Sequence, residues 1–208
     1  MKKLLLATLL MSSSAFADNS ALTAEFTAGY IPMQDVKLKV LGTSSATLEN
    51  AGYFFRAALN DGKFRAFGSM QQVEGDTCGG TCISHEVTET RGGLAFTALD
   101  NGQLKLVPRV EYVTLEVTVN GDGGDTNGVA LGGDATVTLA PNLNIFGGAS
   151  YVKLDDYKGP ELILGATLKT EVVNFVVEGR HVKLKDSAND LEFTSNELKL
   201  GLQKSFDF

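Results

Sequence analysis

From Leu22 to the C-terminus, apolar and polar residues alternate with a period of two in ten successive segments, and helical periodicity is scarce. In Leu22–Tyr30, the positions Leu22, Ala24, Phe26, Ala28 and Tyr30 alternate with Thr23, Glu25, Thr27 and Gly29. Leu104, Leu106, Pro108, Val110 and Tyr112 alternate in the same way with Lys105, Val107, Arg109 and Glu111. Similar stretches occupy about 51–59, 63–73, 87–99, 129–140, 143–154, 161–170, 174–184 and 196–208. Tight turns join alternate pairs: Asn60-Asp61-Gly62, Asp100-Asn101-Gly102, Pro141-Asn142 and the weaker Glu171–Val173. Longer polar stretches join the others, at Met33–Asn50, Glu74–Glu86, Asn120–Gly128, Asp155–Pro160 and Asp186–Ser195.

Short turns at one end, long loops at the other and about ten residues per strand describe an up-and-down antiparallel transmembrane β-barrel. Ten strands are expected, with eight as the alternative count. A closed barrel leaves no unpaired backbone edge in lipid. A soluble β-sandwich also alternates, but it has no reason to segregate its loop lengths. The aromatic residues favour the barrel. Tyr30, Tyr53, Tyr112 and Tyr151 fall on the apolar face near the long-loop end of their strands. Phe64, Phe175, Phe206 and Phe208 share that face near the short-turn end, so two girdles flank a lipid-facing band.

Residues 1–17 have the three parts of a secretory signal peptide. Lys2 and Lys3 supply positive charge, Leu4 to Met11 are apolar, and Ala15-Phe16-Ala17 is a small-x-small cleavage pattern. Residues 18–208 then form a single barrel domain. Leu198, Leu200, Leu202, Phe206 and Phe208 alternate up to a terminal Phe, and this strand resembles the C-terminal assembly signal of Gram-negative outer-membrane proteins. The resemblance implies recognition of Phe206 and Phe208 by the barrel-insertion machinery and places the chain in the outer membrane.

Val177-Glu178-Gly179-Arg180-His181-Val182-Lys183-Leu184 is similar to the Gly-Tyr-Arg-Tyr type strand of small OmpA-like and opacity-type barrels, with His181 standing for a tyrosine. The last third of the chain resembles the YfaZ-type group. Typical OmpA-like members have eight strands. An internal repeat links Tyr112-Val113-Thr114-Leu115-Glu116, Tyr151-Val152-Lys153-Leu154-Asp155 and His181-Val182-Lys183-Leu184-Lys185, each at the outer end of an outward-running strand.

If the apolar parity faces lipid, all five arginines point into the lumen: Arg56, Arg65, Arg91, Arg109 and Arg180. Glu25, Glu89, Glu111, Asp134, Glu178 and Glu197 share that face, with Lys63, Lys105, Lys169 and Lys199. Charges at membrane depth must be paired or wet, and Arg is suited to bidentate pairing with carboxylates. Inward Phe54, Phe67 and Phe146 help fill a narrow interior, so a structural ion-pair network is the expectation. The alternative is a narrow small-solute channel constricted by Arg56, Arg65, Arg109, Glu111 and Arg180.

The chemistry-bearing residues are few. A net charge of −7 argues against a nucleic-acid partner. His181 has Gly179 two residues before it, unlike the Asp-x-His of omptin-type proteases, and Ser84-His85 would face opposite ways on a strand. A lipid-modifying or proteolytic barrel is therefore the third reading, and no catalytic residue, cofactor or metal is expected. Asn120–Gly128 lacks the closing Glu of a calcium loop. Cys78 and Cys82 lie in one outer connection of an exported chain with no other cysteine, which predicts a disulfide. The expected partners are outer-membrane lipid and lipopolysaccharide, the latter contacted through acidic loops carrying Asp76, Asp122, Asp125, Asp155, Asp156, Asp186 and Asp190. The expected role is a monomeric, non-enzymatic barrel serving membrane integrity or surface interaction through its extracellular loops.

Overall fold

The computed structural model describes residues 22–40, 44–78, 82–186 and 191–208. Residues 1–17, expected to be a signal peptide, and Asp190 lie outside the described residues. The long strands are β1 (Thr23–Val40), β2 (Ser44–Asn60), β3 (Phe64–Cys78), β4 (Cys82–Phe96), β6 (Leu104–Val119), β7 (Asp122–Ala140), β8 (Leu143–Leu154), β9 (Tyr157–Leu168), β10 (Asn174–Asp186) and β11 (Glu192–Asp207). The two-residue β5 (Leu99–Asp100) only extends a turn. Each long strand pairs antiparallel with its neighbour in sequence; β1 pairs with β11, and β4 pairs directly with β6. The sheet closes into a ten-strand, up-and-down barrel.

The tight connections follow from their residues. Asp61 and Asn101 each accept hydrogen bonds from the backbone N–H groups two and three residues on, and Gly62 and Gly102 take φ of 90° and 81°. Those values lie in the left-handed region, where the absence of a Cβ removes the clash.

The outer wall of one half of the barrel is apolar. Phe26, Phe55, Leu94, Leu131, Leu162, Leu164, Val177 and Leu202 are all exposed there, an area no soluble domain leaves to water. Tyr30, Tyr53, Tyr112 and Tyr151, each 53–55% exposed, ring its outer border. Phe64, Phe96, Phe175, Phe206 and Phe208 ring the border beside the tight turns. The wall is therefore bounded by two interfacial girdles, as a lipid-spanning band requires.

The strands continue well past the tyrosines, and this corrects the expected long loops. β1 runs on to Val40, β2 begins at Ser44, and β3 and β4 extend to Cys78 and Cys82. Asn120-Gly121 is a two-residue turn with φ of 50° and 88°, so β7 includes Asp122–Gly128. The physical reason is an inversion of the alternation at the tyrosine girdle. On β6, Val110 and Tyr112 face outward and Glu111 inward; beyond them Val113 is buried while Glu116 is exposed. Below the girdle lipid is outside, so apolar residues face out. Above it water is outside, and the same residue types turn in. β1 makes the switch at a bulge between Ile31 and Gln34 that contains Pro32, which cannot donate a ladder hydrogen bond. Asp186, expected in a loop, is buried at the end of β10.

Candidate functional site

The lumen is filled by two stacked layers. The first is charged and lies at and just below the tyrosine girdle. Its hub is Glu161 on β9, fully buried. Glu161 accepts hydrogen bonds from Arg91 Nη2 at 2.6 Å, Arg180 Nε at 2.8 Å and Ser150 Oγ at 2.9 Å, and lies 3.5 Å from Arg109 Nη2. Arg91 also reaches Glu89 at 2.8 Å and Glu111 at 2.9 Å. Arg109 pairs with Glu111 at 2.5 Å and with Asp134. Arg180 spans Glu89 at 2.8 Å and Glu197 at 2.9 Å.

A second cluster adjoins it. Arg56 donates two hydrogen bonds of 2.6 Å to Glu178, and Lys199 lies 2.8 Å from Glu197. Phe54 fills the space between, with the Arg56 guanidinium 5.2 Å and the Lys199 ammonium 5.7 Å from its ring centroid. The ring reaches this position because Gly201 and Gly29 face it: a Cβ on Gly201 would lie 2.8 Å, and one on Gly29 2.6 Å, from its edge. Five cations thus face six carboxylates in alternation, and each desolvated charge meets an opposite one.

The second layer is apolar and sits above the first, outside the membrane band. Val113, Val152, Leu154, Val182 and Leu184 are buried against one another with Ala130, and Leu115, Tyr157 and Phe193 pack on them. Ile31, Val73 and Val87 join Phe54 in an adjacent cluster. The repeated Tyr/His-Val-x-Leu segments are explained here: their Val and Leu are the six inward residues that meet across the lumen from β6, β8 and β10. A polar strand of contacts crosses this layer on one side. Gln34 donates to Glu197 at 3.0 Å, Asn50 donates to Gln34 at 3.0 Å, and His85 meets Asn50.

Not every inward charge belongs to the layer. Arg65 pairs with Glu25 at 2.9 Å near the tight-turn rim, where Arg65 is 42% exposed. Lys63 and Lys169 stand exposed at turns, and Lys105 lies 3.6 Å from Asp100. Glu161 and the amide and hydroxyl partners Gln34, Asn50, Gln71 and Ser150 escaped the sequence reading. The one available signal for Glu161 was its parity, opposite to Leu162 and Leu164. Its position at the start of a segment concealed it.

Neither histidine meets a carboxylate among the described residues: His85 contacts Asn50, and His181 Nδ1 lies 2.7 Å from Asn196. The Asp155-Asp156 pair forms a turn. Asp155 accepts hydrogen bonds from Thr126 Oγ1 at 2.6 Å and from the Asn127 N–H at 3.2 Å, and these hold its carboxyl below the ordinary value. No cluster of three or more His, Cys, Asp or Glu suited to a metal occurs among the described residues.

Comparison with known structures finds the outer-membrane protease OmpT of Escherichia coli at a TM-score of 0.54, with 12% identity, over 94% of this chain and 100% of that one. The chain has the fold of a bacterial outer-membrane β-barrel. Ail, the attachment invasion locus protein of Yersinia pestis, matches at a TM-score of 0.48 and 12% identity over 88% of this chain and 99% of Ail. Neisserial surface protein A matches at 0.43 and 11% over 89% and 97%. No family model and no curated protein matches the sequence. The girdled apolar wall and this fold together place the barrel in the outer membrane.

Proposed function

We propose that this protein is a closed, monomeric, non-enzymatic barrel of the Gram-negative outer membrane, serving membrane integrity or surface contact through its outer rim. The observation that carries the reading is the double seal. A channel needs a continuous wet path, and here an alternating ion-pair layer is capped by a layer of Val and Leu. Of the residues of the alternative constriction, Arg56, Arg109, Glu111 and Arg180 are engaged with one another or with other charges rather than lining open space, and Arg65 pairs with Glu25 at the tight-turn rim. The contacts of His85 and His181 speak against the third reading, a proteolytic or lipid-modifying enzyme. Surface contact falls to a rim of paired strands, since the long loops expected for it are largely strand among the described residues.

The test is single-channel recording in planar bilayers. Refolded protein should give no stable open current. Steady conductance of general-porin size would overturn the reading and promote the channel.

The outer rim carries a second expectation. Cys78 and Cys82 are direct register partners on the β3–β4 hairpin. Facing Cα atoms in an antiparallel pair lie about 4.5–5.5 Å apart, within the range a disulfide spans. The bond itself lies outside the described residues. Protein exported in cells and alkylated without reductant should carry no label on either thiol by mass analysis. Two labelled thiols would refute the bond.

A further inference from the structure

The outer surface above the tyrosine girdle is divided by charge. On β2 to β7 its outward positions carry Glu49, Glu74, Asp76, Glu86, Glu116 and Asp125, and no Lys or Arg occurs on the outer halves of these strands among the described residues. On β8, β9, β10 and β1 they carry Lys153, Lys158, Lys183, Lys185, Lys37 and Lys39, together with Asp35. Three of these lysines are direct register partners: Lys153 faces Lys158, and Lys158 faces Lys185. The row continues through Glu192, which faces both Lys185 and Lys39. Glu192 lies 2.8 Å from Lys183 and 3.4 Å from Lys185, and the hydrogen bond from Lys183 holds its carboxyl below the ordinary value. Lys37, Lys39, Lys153 and Lys158 pair with no carboxylate among the described residues.

Like charges placed directly opposite on neighbouring strands destabilise a sheet. A chain of net charge −7 nevertheless gathers six lysines on one wall. The depth of that wall points to what offsets the repulsion. Lys153 lies two residues beyond Tyr151 on β8, about 7 Å along a strand. Interfacial tyrosines mark the headgroup level, so the lysine row stands beside the phosphates of the outer-leaflet lipid. Lysine binds phosphate as a compact point charge.

We propose that the β8–β9–β10–β11–β1 wall is a binding site for the phosphates of the outer-leaflet glycolipid, with Lys153, Lys158 and Lys185 as its core. This rests on the outer-membrane placement above and names a lipid for one side of the rim. A membrane-held phosphate is favoured over a soluble polyanion for a physical reason. A soluble ligand approaches a molecule of net negative charge with an acidic opposite wall, whereas lipid phosphate is already in contact. This contact runs directly through lysines, on the other side of the rim from most of the acidic residues.

The experiment uses the full chain refolded into phosphatidylcholine vesicles, alone or with lipid A carrying two phosphates, with fully dephosphorylated lipid A, or with soluble inositol hexakisphosphate. The readout is the midpoint temperature at which the folded electrophoretic form converts to the unfolded one. Diphosphoryl lipid A should raise the midpoint by several degrees, and the dephosphorylated lipid and the soluble polyphosphate should not. Replacing Lys153→Gln, Lys158→Gln and Lys185→Gln together should abolish the rise while leaving the midpoint in plain phosphatidylcholine unchanged or higher. Replacing Glu74→Gln, Glu86→Gln and Glu116→Gln together should leave the rise intact. If the triple lysine variant does not fold, Lys158→Gln alone should reduce the rise. An equal rise in the lysine variants, a rise without phosphate, or a rise with the soluble polyphosphate alone would overturn the site. Conductance plays no part in this readout, so the closed-barrel reading and the lipid site fail separately.

Discussion

Replacing Glu161→Ala should destabilise the barrel more than removal of any rim charge, by about 3–5 kcal/mol, because it leaves buried arginines without their shared carboxylate. Glu161 is fully buried and meets Arg91, Arg180 and Arg109 at once. The remaining acids cannot rearrange to cover the loss. Glu89, Glu111 and Glu197 are each already held by one or more of these arginines. Glu25→Ala provides the contrast. Its partner Arg65 is 42% exposed, so water takes over when the carboxylate is lost, and the cost should stay within about 1 kcal/mol. Urea unfolding of both variants in the same vesicles checks this. Equal losses would show that the buried layer is not a cooperative unit.

Deleting Phe208 should nearly eliminate the folded, heat-modifiable protein in cells, yet change the refolding of purified protein only modestly. The two outcomes separate if the residue is both wall and assembly signal. As wall, Phe208 covers the rim: it is 78% exposed, and its N–H donates to the Leu22 carbonyl at 2.9 Å. Covering such a side chain with lipid is worth at most about 1.5–3 kcal/mol, which a ten-strand barrel can lose and still fold. As the assembly signal proposed by the resemblance, it would be read by the insertion machinery before any strand has paired, while the exported chain is open to proteases. Outer-membrane yields of the deleted and intact proteins, compared by unheated and heated electrophoresis, check this. Equal yields would count against an assembly signal at this terminus.

The membrane half of the protein was legible from its residues because one physical rule governs each strand there. On β6, Leu104 to Tyr112 put apolar side chains toward lipid at every second position, so parity alone told which of Arg109, Glu111 and Val110 faced the lumen. Closure also followed, since only a barrel leaves no open edge in lipid. The outer half obeys the opposite rule. Val113, Leu115 and Val117 alternate as regularly as the residues before them, but with the phase reversed. Read against the membrane phase, a strand whose polar face looks outward is indistinguishable from a polar loop. For that reason Met33–Asn50 and Asn120–Gly128 read as loops in the sequence. A short bulge at Ile31–Gln34 was enough to hide the continuation of β1.

Local patterning specifies the antiparallel all-β chain, its tight turns, the direction each membrane-band residue faces and the two aromatic girdles. These follow from local quantities: a period of two, turn residues that tolerate positive φ, and the solvent on each side of one strand. The tertiary structure alone decided which inward charges meet. Arg91 and Glu161 are 70 positions apart in the chain, and Arg180 and Glu89 are 91 apart. Their contact depends on the stagger between strands that accumulates around the closed sheet. The same stagger brings the Val and Leu of three separated repeats into one apolar layer and sets Lys153, Lys158 and Lys185 in one row. Parity gives a side chain its direction; only closure of the barrel gives it a neighbour.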